Sequence, residues 1–76
     1  LSRLLTPNVK RVLEVGCAEG ALGEAIKTRF AVTYEGIELS QDAERAQAKL
    51  DRVYRTPAAL TAAPPYDLIV SFHVLE

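Results

Sequence analysis

The run Val12-Leu13-Glu14-Val15-Gly16-Cys17-Ala18-Glu19-Gly20-Ala21-Leu22-Gly23 limits what this chain can fold into more than any other stretch. Val12, Leu13 and Val15 are almost continuously apolar, which suits a parallel strand covered on both faces. Gly16 ends that strand where the backbone must bend tightly. Gly20 opens a helix at a point where a missing side chain lets a ligand approach the backbone. Gly23 lies one turn further and allows the helix to pack closely on the strand.

The remainder of the chain continues the alternation. Leu1, Leu4 and Leu5 have helical spacing and read as the last turn of a helix, and Thr6-Pro7-Asn8 is a turn signal. Val9 to Val15 leads into the first strand. Leu22, Ala25, Ile26 and Phe30 then recur on one helical face, so the helix is expected to bury that face and to stop near Phe30. Val32 to Leu39, rich in β-branched and aromatic residues, predicts a second strand. Ser40 is placed to cap a helix over Gln41 to Leu50, with Asp42 and Glu44 in its first turn and Ala43, Ala46 and Leu50 as a thin apolar stripe. Arg52 to Arg55 predicts a short third strand, and Thr56 to Pro65 a loop with room for a short helix. Tyr66 to Phe72 predicts a fourth strand with Leu68-Ile69-Val70 as core, and His73 to Glu76 the start of another helix.

This βαβαββ order argues an α/β fold with a doubly wound parallel sheet. Right-handed crossovers set the first two strands side by side and the third outside the second. The fourth lies on the opposite side of the first, giving the order 3-2-1-4. The switch point between the first and fourth strands is where such sheets bind ligands, at the strands' carboxyl ends.

Length and composition exclude several classes. The chain has 76 residues, one short domain at most, and a domain of that size is marginal in stability by itself. Apolar content of 49% and charged content of 25% are ordinary for a soluble globular protein. A formal net charge of -1 gives no sign of a nucleic-acid or polyanion partner. The single cysteine, Cys17, rules out an internal disulfide and fits a reducing compartment. No run is long enough to span a bilayer and no basic-then-apolar leader is present, so a cytoplasmic location without a membrane partner is expected. No metal site is read.

A strand, spaced glycines and a helix form the general layout of a nucleotide-binding βαβ unit. Two acids narrow it. Glu14 lies inside an apolar strand, where an ionised side chain is costly unless partnered. Glu19 lies in the turn. A dinucleotide would seat its pyrophosphate at this helix N-terminus, and carboxylates there oppose an anion. They suit a ligand that carries an ammonium and a sulfonium. Here the residues resemble the first motif of the class I S-adenosylmethionine-dependent methyltransferases, with Glu14, Gly16 and Gly20 in the motif's places and Ala18 where the family often has glycine. A second resemblance lies in Tyr66-Asp67-Leu68-Ile69-Val70-Ser71-Phe72-His73-Val74-Leu75-Glu76: an aromatic-Asp pair, an apolar strand, polar and aromatic residues, then Val-Leu-Glu.

The resemblance implies S-adenosylmethionine as cofactor and a set of residues that would hold it. Glu38 ends the second strand about 20 residues past the glycine turn, where an acid accepts hydrogen bonds from two ribose hydroxyls. Leu39 either packs against adenine or belongs to the core, with Ser40 beside it. Glu14 would order the amino-acid end of the cofactor, or else is a buried acid satisfied by the loop's own N–H groups. Gly16 would offer its carbonyl to the ammonium, with Cys17, Ala18 and Gly20 lining the loop; Cys17 reads mainly as a small packing residue and Glu19 as a solvated one. Ser71, Phe72 and His73 would face the methionine part. His73 can act as a general base toward a hydroxyl or amine, although the plainer reading, that it shapes the pocket or caps a helix, is preferred. At the end of the third strand the family often has an acid for the adenine amino group. Arg55-Thr56-Pro57-Ala58 has none, so Thr56 or backbone groups would substitute.

The function expected is therefore methyl transfer to a small-molecule acceptor, with residues 1–76 supplying the cofactor-binding half of a methyltransferase domain. The alternatives are a binding or assembly module without turnover, and an NAD-binding domain of an oxidoreductase, which Ala18 in the Gly-x-Gly slot and the nearby acids disfavour. The family fold continues with three more strands that carry much of the acceptor site. A sheet ending after strand 66–72 would leave one long edge unpaired, so either a shortened chain or a homodimer through that edge is expected.

Overall fold

The computed structural model describes residues 6–58 and 65–71. Arg11–Val15 forms β1, Thr33–Ile37 β2, Arg52–Tyr54 β3 and Leu68–Ser71 β4; α1 covers Ala21–Arg29 and α2 covers Asp42–Gln47. All strand pairs are parallel and the order is β3-β2-β1-β4, as the crossover argument requires. Val15 stands opposite both Ile37 and Ser71, so the three strands release their chains toward the same end of the sheet.

Alternation along the strands divides the side chains between two layers. Val12, Glu14, Tyr34 and Val70 face the helices, where Ile26 of α1, Ala46 of α2 and Leu50 complete one core. Leu13, Ile37 and Tyr54 face the other way, with Val15 and Tyr66 packed against them. Burial on both sides explains why β1 reads as a nearly unbroken apolar run. α1 sits tightly on β2 because Gly23 has no side chain: a Cβ there would meet the Tyr34 ring at 2.5 Å.

Element boundaries contract relative to the sequence reading. β1 begins at Arg11, and β2 ends at Ile37, before Glu38. α2 ends at Gln47 and is preceded by turn-like bonds from the N–H of Ala43 to the Ser40 carbonyl and from that of Glu44 to the Gln41 carbonyl. Ser40 therefore stands one residue before the cap position, although its hydroxyl still accepts the Asp42 N–H at 3.2 Å. The stripe Ala43, Ala46 and Leu50 is buried as expected. On α1 the inward residues are Gly23 and Ile26, with Leu22 and Phe30 half-buried, while Ala25 is exposed. Ile69 is 61% exposed rather than core, because among the described residues nothing covers that side of β4 and no strand pairs with its outer edge. The expected helices at Leu1–Leu5 and His73–Glu76, and most of the 56–65 loop, lie outside the described residues.

Two aspartates fasten the amino ends of the strands. Asp51 accepts the Tyr34 N–H at 2.7 Å and the Lys27 ammonium. Asp67 accepts the N–H groups of Lys10 and Arg11, each at 2.9 Å, and its own N–H donates to the Arg11 carbonyl. The N–H groups of Lys10 and then of Arg11 hold the Asp67 carboxyl below the usual carboxylate range. In the unfolded chain its value returns to about 3.9. Between those two values the unfolded chain binds more protons, so the contribution is complete above the unfolded value and disappears as pH falls through the folded one. Asp67→Asn is expected to lose less stability than the parent on moving from about pH 5 to about pH 2.5, read as urea midpoints. Parallel midpoints for parent and variant across that range would refute the assignment.

Candidate functional site

The stretch after β1 is shaped by three left-handed residues in alternation: Gly16 at φ 77°, Ala18 at φ 51° and Gly20 at φ 87°. This conformation costs a residue with a Cβ about 1–2 kcal/mol, which glycine avoids and Ala18 does not. The loop hangs from β2, because the N–H groups of Gly16 and Cys17 both donate to the Ile37 carbonyl, at 2.8 and 3.1 Å. The N–H of Gly20 closes back on the Cys17 carbonyl at 2.9 Å.

Glu38 follows β2 directly and is pinned on its far side, where its N–H donates to the Tyr54 carbonyl at 2.9 Å. Its carboxylate forms a fork across the loop. Oε1 accepts the Ala18 N–H at 2.6 Å, and Oε2 accepts the Ser40 N–H at 3.1 Å. Hydrogen bonding from Ser40, and then the Ala18 N–H, hold this carboxyl below its ordinary value against partial desolvation. Each carboxylate oxygen has further acceptor capacity.

Glu14 lies beneath the loop and is 5% exposed. Burial pushes its carboxyl up, the nearby Glu38 charge adds to this, and the hydroxyl of the fully buried Tyr34, donating to Oε1 at 2.9 Å, opposes it. Cys17 points into the protein and fills the space left by Gly36, whose Cβ would meet the sulfur at 2.5 Å. Burial, with the Glu14 and Glu38 charges, pushes its thiol up to about 11, so it is no nucleophile at neutral pH.

The glycines divide the work in a way sequence alone did not separate. A Cβ at Gly16 would meet nothing within 4 Å, so that side of the loop is open. A Cβ at Gly20 would instead press on Ala46 at 3.1 Å, so the bare backbone at Gly20 admits α2. Glu19 is exposed and pairs with Arg45 of α2 at 3.1 Å. Leu39 is 68% exposed, which removes the core reading and leaves an apolar side chain beside the Glu38 fork. Ser40, Thr56 and Ser71 are exposed, the last at the carboxyl end of β4. Phe72 and His73 lie outside the described residues. Glu14 and Glu38 line neither of two clefts, one formed by Thr6, Val9, Phe30 and Val32 and one by Ala43, Glu44, Gln47, Val53 and Arg55.

Tyr34 and Gly36 are site-supporting residues that sequence reasoning missed. A glycine inside a strand signals close approach of another group, so Gly36 was readable. Tyr34 was not, since its reach to Glu14 depends on the β1–β2 register. Neither 14–20 nor 38–40 contains a basic residue, and the Arg45 cation that reaches the loop is taken up by Glu19, so the charge left at the strand ends is that of Glu38 and Glu14. Such a surface suits a neutral or cationic ligand with hydroxyl donors and disfavours a phosphate.

The sequence family described as "Methyltransferase domain" matches residues 1–76. Among solved structures, the chain is similar to S-adenosylmethionine-bound CalS10, an amino pentose methyltransferase from Micromonospora echinaspora involved in calicheamicin biosynthesis. The sequences are 26% identical with a TM-score of 0.74, and the match covers 95% of this chain. It covers 33% of CalS10, so the chain spans about a third of that protein's length. Among curated proteins, none matches.

Proposed function

The chain belongs to the methyltransferase-domain family, as the N-terminal, cofactor-binding portion of the class I S-adenosylmethionine-dependent fold, and on that premise we propose that it binds S-adenosylmethionine at the carboxyl ends of β1 and β2 and serves methyl transfer to a small-molecule acceptor. The observation that carries this reading is the Glu38 carboxylate, fixed at the mouth of a glycine loop with the Glu14 carboxylate beneath it and no basic residue in either stretch.

The residues fit the cofactor. Glu38 would accept hydrogen bonds from the two ribose hydroxyls with the acceptor capacity its fork leaves. Exposed Leu39 would cover one face of adenine, with Thr56 toward the base. The open side of Gly16 would admit the amino-acid end, ordered by Glu14, and Ser71 would follow the methionine part. When bound, S-adenosylmethionine supplies an electrophilic methyl group on a sulfonium. The chain's own task is to orient that group and exclude water.

Calorimetry with S-adenosylhomocysteine and with NAD tests the reading. The thioether is expected to bind and NAD not to. Glu38→Ala is expected to weaken the thioether by about 30-fold, ~2 kcal/mol, as charge-assisted hydrogen bonds to the ribose are lost. Binding of NAD with no binding of the thioether overturns it in favour of a dinucleotide domain.

A further inference from the structure

Among the described residues, Ala18 is the only residue other than glycine with a positive φ. It is also the loop position whose anchor is a side chain. The N–H groups of Gly16, Cys17 and Gly20 are held by main-chain carbonyls, of Ile37, Ile37 and Cys17 respectively. That of Ala18 is held by the Glu38 carboxylate, at 2.6 Å. The residue with the least favourable backbone conformation in the loop thus carries a short, charge-assisted bond, a class roughly twice as strong as a neutral one.

We propose that Glu38 is a positioning residue for the glycine loop as well as a ligand contact: its carboxylate holds Ala18 in the left-handed conformation, so the loop has its binding shape before any ligand arrives. The proposal rests on the S-adenosylmethionine reading only for the choice of ligand. The fork explains how one side chain does both. Ser40, two residues on, orients the carboxylate locally through Oε2, and Oε1 then reaches across to Ala18 from the neighbouring strand's exit. Both prongs must be acceptors. In Glu38→Gln the charge is lost and one prong becomes an NH2 group facing a main-chain N–H, so the Ala18 bond is either broken or reduced to a neutral one. Glycine at position 18 adopts positive φ without such help, so the two positions must be energetically coupled.

The test is a double-mutant cycle on S-adenosylhomocysteine affinity with Ala18→Gly, Glu38→Gln and the double variant, alongside amide NMR of the unliganded protein. Glu38→Gln is expected to weaken binding by a factor about fivefold larger with alanine at position 18 than with glycine, the size typical of contacting pairs. Without ligand, the residue-18 amide proton is expected far downfield in the parent and shifted upfield in Glu38→Gln. Equal losses in both backgrounds, or a residue-18 amide indifferent to Glu38→Gln, overturn the proposal. If the parent fails to bind the thioether, the functional reading falls, while the amide comparison still decides the clamp.

Discussion

Glu35→Ala is expected to lower the unfolding free energy by about 3 kcal/mol, the lower end of the range for breaking a buried ion pair. Glu35 is 5% exposed on the sheet face away from the helices. Its Oε1 accepts the Tyr66 hydroxyl at 2.6 Å, the Tyr54 hydroxyl at 3.3 Å and the Arg11 guanidinium at 3.0 Å, while Oε2 pairs with Arg11 at 2.9 Å. The Arg11 guanidinium lies 4.8 Å from the centroid of the Tyr66 ring, and its Nε is already buried with no partner among the described residues. Removing the carboxylate leaves a cation and two phenols without their acceptor. The Arg11 side chain is 22% exposed, so water recovers part of the loss, which is why the lower end applies. Glu35→Gln retains an acceptor for the phenols and is expected to cost about half as much. Urea unfolding at neutral pH measures both; a loss under about 1 kcal/mol for Glu35→Ala would falsify the view that this cluster is a main tie of that face.

Gly23→Ala is the second large effect, and its sign is set by two opposed terms. Alanine inside a helix is favoured over glycine by about 1 kcal/mol. Against that, the added Cβ would lie 2.5 and 2.6 Å from Tyr34 ring carbons and against the Leu50 side chain. Tyr34 has nowhere to retreat, being fully buried with its hydroxyl bound to Glu14. Overpacking of this kind costs typically 1–3 kcal/mol; with the Tyr34 ring fixed the upper end applies, and subtracting the helix gain leaves an expected net loss of about 2 kcal/mol. Gly16→Ala is the contrasting case: nothing lies within 4 Å of its Cβ, and only the left-handed φ of 77° opposes the change, at about 1 kcal/mol. A thermal melt of Gly23→Ala equal to or above that of the parent would show α1 lifting off β2 at little cost.

Much of the site was legible because its signals are local or topological. The apolar run of β1, the spaced glycines and an acid at the end of the next strand stand in fixed order along the chain. The chirality of crossovers then settles which strands are neighbours. The same logic found the Ala43, Ala46 and Leu50 stripe. What was not legible depends on register and on distant partners. Ile69 reads as core because it is flanked by Leu68 and Val70, yet alternation turns it to the uncovered side of β4. Gly20 reads as an opening for a ligand until Ala46 is seen against it. Glu35 reads as one acid in a mixed strand, since its partners Arg11, Tyr54 and Tyr66 come from three other segments. Ala18 was visible as a departure from the family pattern, but its φ, and hence its link to Glu38, required coordinates.

The tyrosines have a practical consequence. The chain has 3 tyrosines and 0 tryptophans, and every phenol donates to one of two buried glutamates: Tyr34 to Glu14, Tyr54 and Tyr66 to Glu35. Ultraviolet emission from this chain is therefore a readout of those two carboxylates. One lies under the glycine loop and the other on the opposite layer, so replacing Tyr34 or the Tyr54–Tyr66 pair with phenylalanine assigns the optical signal to a single side of the sheet without attaching a label.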